Sequence, residues 1–137
     1  KLGALLTPPL VRVRNSELES DAAAVAWLVR SLGMQVEWLL RTYQLEILDR
    51  QLQLARCADA ATEIYVSACV VNRLDHLLRD HHLEESDKLE ALATGRYYLQ
   101  TARRRIERNF KELRDHDDAA TLALANRVLK RATGPGA

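Results

Sequence analysis

Apolar residues recur along this chain at three- and four-residue spacing, the period of amphipathic helices, and no run alternates as a strand would. Thr7-Pro8-Pro9 forbids a helix at the start and predicts an extended lead-in or strap over residues 1–15. Ser16 and Glu19 have capping-box spacing, so a first helix is expected from Glu17, with Ser20 or Asp21 as alternative caps. It runs to about Tyr43, with a core stripe of Val25, Leu28, Leu32, Val36, Leu39 and Tyr43. Trp27, Met34 and Trp38 cluster on the opposite side. That second face needs a cover. The strap or a neighbouring helix would make it ordinary packing, whereas another subunit or a protein partner would make it an interface.

A second helix is expected over roughly 47–79, with Asp49 as a candidate cap. Its apolar and small positions spread around most of the cylinder, the pattern of a central helix. The turn Arg79-Asp80-His81-His82 leads into a third helix, from Glu84 or Ser86 to Arg114, roughly 45 Å long at 1.5 Å per residue. Leu92, Gly95, Leu99, Ala102, Ile106, Phe110 and Leu113 share one side of it. Gly95 there costs about 1 kcal/mol against alanine, which a close approach of the second helix would offset. Asp117 or Asp118 caps a short fourth helix carrying Leu122, Leu124, Ala125, Val128 and Leu129, and Gly134-Pro135-Gly136 ends it. Short connections predict an all-α antiparallel bundle of about four helices, two or three of them long. It forms one domain over residues 16–133, followed by a tail over 134–137.

The chain's 137 residues suffice for one core, and scarce glycine and proline favour helix throughout. A net charge of +1 sets up no bulk field toward nucleic acid, which is not expected as a partner. No apolar run approaches the roughly 20 residues of a membrane span. Cys57 and Cys69 stand on one helix roughly 18 Å apart along its axis, beyond disulfide reach. Both read as small buried groups in an intracellular, reducing compartment, cytoplasmic in a bacterium or mitochondrial in a eukaryote. The absence of an initial Met and of a signal peptide suggests a processed or excised piece.

Candidate chemistry is thin. His76, Asp80, His81, His82, Glu84, Glu85 and Asp87 crowd one turn, and His76 with Asp80 could share a metal ion. Polar residues belong at such a turn anyway. A di-iron bundle would need Glu-x-x-His pairs, and none occurs. Nucleophile-elbow, P-loop and dinucleotide-binding motifs are absent, so no catalytic, cofactor-binding or metal residue is assigned. Arg103, Arg104, Arg105, Arg108, Lys111 and Arg114 could meet phosphates or anionic lipid. Glu107, Glu112 and Asp115 interleave with them, as on an ordinary salt-bridged face.

The stretch QLQLARCADAATEIYVSACVVNR, residues 51–73, places Arg56, Asp59 and Glu63 among alanines and aliphatics. Buried charges must be paired, since a lone one costs several kcal/mol. A local Arg56–Asp59 pair, with Glu63 reaching a basic residue of another helix, would satisfy them.

Read as Q-x-x-L-x-R-x-A-D-x-A-x-E-I-Y and followed by the V-x-x-R step ending at Arg73, this stretch resembles one segment of the acyl-CoA dehydrogenases. The similarity is to the extra C-terminal helical domain of the very-long-chain type and its complex-I-assembly relative. It spans about residues 5–130 and is sharp over 51–73. The expected structural charge network is therefore Arg56, Asp59, Glu63 and Arg73. The family often has glycine between the first two helices and Glu before the Gln, where this chain has Leu45-Glu46 and Arg50. The resemblance implies a parent enzyme that oxidises acyl-CoA with FAD and a glutamate base, both upstream of this domain. The chain itself would be non-catalytic, bind no cofactor, and serve subunit packing in a homo-oligomer or against the catalytic portion, or dock to a membrane or protein partner. The alternatives are a free-standing helical scaffold or adaptor, and a metal-dependent bundle enzyme.

Overall fold

Asn15 starts the helical part of the chain. Its side-chain oxygen accepts the Glu17 N–H at 2.9 Å, opening a 3₁₀ turn over Ser16–Leu18. The cap is thus Asn15 and not the expected Ser16–Glu19 box, because the tight turn buries Leu18 completely. In this computed structural model, which describes residues 9–133, four α-helices follow: α1 (Glu19–Tyr43), α2 (Gln51–Leu78), α3 (Glu85–Glu112) and α4 (Asp118–Ala132). A 3₁₀ segment, Gln44–Asp49, joins α1 to α2, and no strand occurs among the described residues. Three long helices and one short one make the all-α bundle that the periodicity predicts. Residues 1–8 of the expected strap and the expected tail, 134–137, lie outside the described residues.

The second helix begins at Gln51, later than expected, and Asp49 does not cap it. Gln44 ends α1 with φ 46°, a left-handed value rare for a residue with a side chain. The 3₁₀ segment then turns Ile47 into the core. The Arg50 guanidinium lies 4.4 Å from the Tyr43 ring centre, which closes the corner.

The core is a continuous seam between α1, α2 and α3. At one end Leu18 meets Leu74 and Leu92; in the middle Ala22 and Val25 meet Val71. At the other end Leu28, Leu39, Ile47, Ala60, Ile64, Ile106, Phe110 and Leu113 pack together. Each large aliphatic buried this way stabilises by about 1.5–3 kcal/mol. Numbers rise along α1 as they fall along α2, so the helices are antiparallel. The pairs Leu74–Gly95, Glu63–Arg105 and Arg56–Glu112 give the same order between α2 and α3. A Cβ on Gly95 would stand 2.6 Å from a Leu74 methyl, so the missing side chain is what lets the two helices close. Val36, expected in the α1 stripe, is exposed at its edge.

Three further expectations change. The second helix was read as central and buried nearly all round, yet only Gln53, Ala60, Ile64, Ser67, Val71, Leu74 and Asp75 are buried. Ala58, Ala61, Tyr65 and Cys69 form an open outer face, because two neighbours cover only one side of α2. Cys69 is therefore exposed and Cys57 half-buried, with burial pushing the Cys57 thiol up. The fourth helix buries none of its residues. Its leucines stay in solvent, and only its base is tied to the bundle.

Candidate functional site

Beside the apolar seam runs a seam of charge. Arg56 reaches across from α2 and donates two hydrogen bonds to Asp118, at 2.8 and 2.7 Å, the fork-on-carboxylate geometry that suits guanidinium. Glu112 adds a looser contact at 3.6 Å. The bond to Arg56 is the main cause holding the Asp118 carboxyl below its ordinary range, against burial. Bonding to Asp118 in turn raises the Arg56 pKa. Two helical turns further along α2 on the same side, Glu63 accepts from Arg105 at 2.7 and 3.0 Å and from the Tyr98 hydroxyl at 3.1 Å. The Arg105 bond, helped by Tyr98, lowers the Glu63 pKa. Burial first, then Glu63, raises that of Tyr98.

The expected Arg56–Asp59 pair does not form. Arg56 points along the α2–α3 groove to the base of α4, whereas Asp59 is exposed on the rim of a surface hollow with Thr62 and Arg108. Arg73 is also exposed, and neither Asp59 nor Arg73 has an ion-pair partner among the described residues. The four residues of the expected network thus divide. Arg56 and Glu63 are clamped between helices, while Asp59 and Arg73 face solvent. Glu63 does reach a basic residue of another helix, Arg105.

Two polar residues that sequence reasoning passed over carry as much. Asp75 is 6% exposed and accepts the backbone N–H groups of Arg14 and Asn15 at 2.9 and 2.8 Å, while Arg79 stands 3.3 Å away. Burial works to raise the Asp75 pKa, but the Asn15 and Arg14 N–H groups and Arg79 together bring it below its ordinary value. This carboxylate fastens the extended residues before α1, whose Val11 and Val13 pack on the core. Gln53, 1% exposed, sends its amide nitrogen toward the Leu113 carbonyl at 3.2 Å and His116 Nε2 at 2.9 Å. Both residues lie on the apolar stripe of α2, and a polar residue in register with that stripe was the signal for each.

The aromatic face of α1 also divides. Trp38 meets Tyr43 edge-on at 6.1 Å, and the Arg114 guanidinium lies 4.1 Å from its ring, so its own chain covers it. Trp27 and Met34 remain 50% and 43% exposed. The three were expected as one face, but α1 ends on the main cluster, which draws Trp38 in. At the α2–α3 turn, His76, His81 and His82 are exposed. Among the described residues no three His, Cys, Asp or Glu side chains converge to hold a metal ion.

The family described as ACAD9/ACADV, C-terminal domain, matches residues 16–133. The chain belongs to this family. The ACAD9/ACADV match begins at the first residue of the opening 3₁₀ turn and ends one residue past α4, so it takes in all four helices. It places the chain among C-terminal domains of acyl-CoA dehydrogenases of that type. No curated protein and no solved structure matches the chain.

Proposed function

We propose that this chain is the accessory, non-catalytic domain of a FAD-dependent acyl-CoA dehydrogenase acting in fatty acyl-CoA oxidation, and that it serves association. Its partners would be a second subunit, the upstream catalytic portion, or a membrane or protein surface. The observation that carries this reading is the state of Glu63. It is the acid best placed to be mistaken for a general base, yet three donors occupy it and its pKa is lowered. A carboxylate held in that way is a poor proton acceptor. It acts as a clamp between α2 and α3.

The described residues do not fit a flavin. A flavin dinucleotide needs close backbone approach to its pyrophosphate, commonly at a glycine-rich turn. The described glycines, Gly33 and Gly95, lie inside helices, and Gly95 is filled by Leu74. FAD and the proton-abstracting glutamate then belong to the parent enzyme. No described helix is long and apolar enough to cross a membrane, so membrane docking would be peripheral.

The test is twofold. The gene's reading frame should continue upstream into an acyl-CoA dehydrogenase region, and the purified chain should show neither flavin absorbance nor acyl-CoA oxidation with an electron acceptor. A start codon directly before Lys1 would establish the free-standing scaffold instead. A yellow, active preparation would overturn the non-catalytic role.

A further inference from the structure

Among the described residues, two apolar features lack a partner, and they match each other. The first is α4. Leu122, Ala125 and Leu129 line one side at i, i+3 and i+7, over roughly 10 Å at 1.5 Å per residue. Lys130 flanks that stripe, and Arg127 and Arg131, one turn apart, follow the opposite side. The only acid of the helix, Asp118, is already neutralised by Arg56. The second feature is a groove of about 480 Å³ between the C-terminal half of α2 and the N-terminal half of α3. Val70, Leu74, Leu77 and Ala91 form its apolar floor. Its α3 wall carries Asp87 and Glu90 and its α2 wall Arg73, so the rim is net negative where the arm is net positive.

The chain cannot fill its own groove with this stripe. Arg56 fixes the base of α4, and Val70 lies 14 residues along α2 from Arg56, roughly 21 Å. Laid back beside α2, Leu129 would reach only about 16 Å from Asp118. The surface it would cover on the way is lined by Asp59, Glu63, Arg105 and Arg108, which offers the leucines nothing. A second copy is free of that tether.

We infer that α4 of one copy seats in the α2–α3 groove of another, Leu122, Ala125 and Leu129 on the apolar floor and Lys130 at its edge against Asp87 and Glu90. This rests on reading the chain as an association module, and names the surfaces. Sedimentation of the wild-type chain should show a concentration-dependent dimer. Leu122→Ser with Leu129→Ser, at exposed positions that leave the bundle folded by circular dichroism, should weaken it at least about tenfold.

The deciding arm uses charge. Asp87→Arg with Glu90→Arg reverses the groove, and Lys130→Glu reverses the edge of the arm that faces it. Each variant alone should dissociate, and mixing the two should restore a dimer, since every arm then meets a groove of opposite charge. A wild-type chain that is monomeric at its highest soluble concentration overturns the inference, as does failure of the mixture to pair. Loss of binding to anionic phospholipid vesicles by the leucine variant, with self-association unchanged, would make lipid the occupant and also overturn it. If Trp27→Ser abolishes association while the α4 variants do not, the association reading stands and this surface assignment falls.

Discussion

At the scale of single residues, the charges of α2 show what one-dimensional spacing can and cannot fix. Arg56 and Asp59 are three apart, a legitimate helical pair, and both stand in an alanine-rich stretch that reads as buried. The structure gives Arg56 a carboxylate 62 residues away, because a bidentate partner at the base of α4 offers two straight hydrogen bonds at once. Nothing in local spacing announces Asp118 as that partner. Asp75 and Gln53 carried a signal that went unread, since each is a polar residue that extends one end of the stripe Ala60, Ile64, Ser67, Val71 and Leu74 define. The left-handed backbone falls at Gln44, where composition gave no glycine to mark it. A double-mutant cycle separates the two pairings. Arg56→Ala and Asp118→Ala should each destabilise by about 1–3 kcal/mol, with the double mutant well short of their sum. Asp59→Ala should change stability by less than about 0.5 kcal/mol and add to Arg56→Ala without coupling. Urea unfolding of the variants provides the check.

At the scale of elements, helix existence and order follow from periodicity, and the ends follow from contacts that periodicity does not contain. The contact between α2 and α3 turns on Gly95, which sequence alone marks as a costly glycine awaiting a close neighbour. That neighbour is Leu74, itself 3% exposed. Gly95→Ala should gain about 1 kcal/mol of helix propensity and lose about 1–3 kcal/mol from pushing Leu74 off its site. The expected outcome is net destabilisation by about 1 kcal/mol. Leu74→Ala alone should cost about 2–5 kcal/mol by opening a cavity. Combined, the two should be less damaging than their sum, because the new methyl occupies space that Leu74 vacates. Additive losses in thermal unfolding would mean that the close approach at Gly95 is not what sets the helix separation. The free length of α4 was the part least legible here. Its apolar stripe predicts packing, and only the placement of Asp59, Glu63, Arg105 and Arg108 along the adjoining groove shows why the bundle gives it no seat.

At the scale of the whole molecule, the bundle is fastened by three carboxylates that lie in different places and respond to acid in the same sense. Asp75 holds the residues leading into α1, Glu63 joins α2 to α3, and Asp118 anchors α4. Each has a folded-state pKa below its ordinary value, through donors that favour the ionised form. A depressed folded pKa contributes stability that is present above the unfolded value and is lost as pH falls through the folded one. Stability should accordingly be level near neutrality and decline below about pH 4, where unfolded carboxyls already bind protons and the native ones must follow. Asp75→Asn isolates one of the three. The amide keeps an oxygen for the Arg14 and Asn15 N–H groups but carries no charge for Arg79. The variant should be less stable than wild type at pH 7, and the gap should close as pH drops, since wild type loses its ionised Asp75 while the variant has none to lose. Thermal midpoints of both chains from pH 7 to pH 3 would show this convergence. A gap that stayed constant across the range would mean that the Asp75 charge adds nothing beyond its hydrogen-bond geometry.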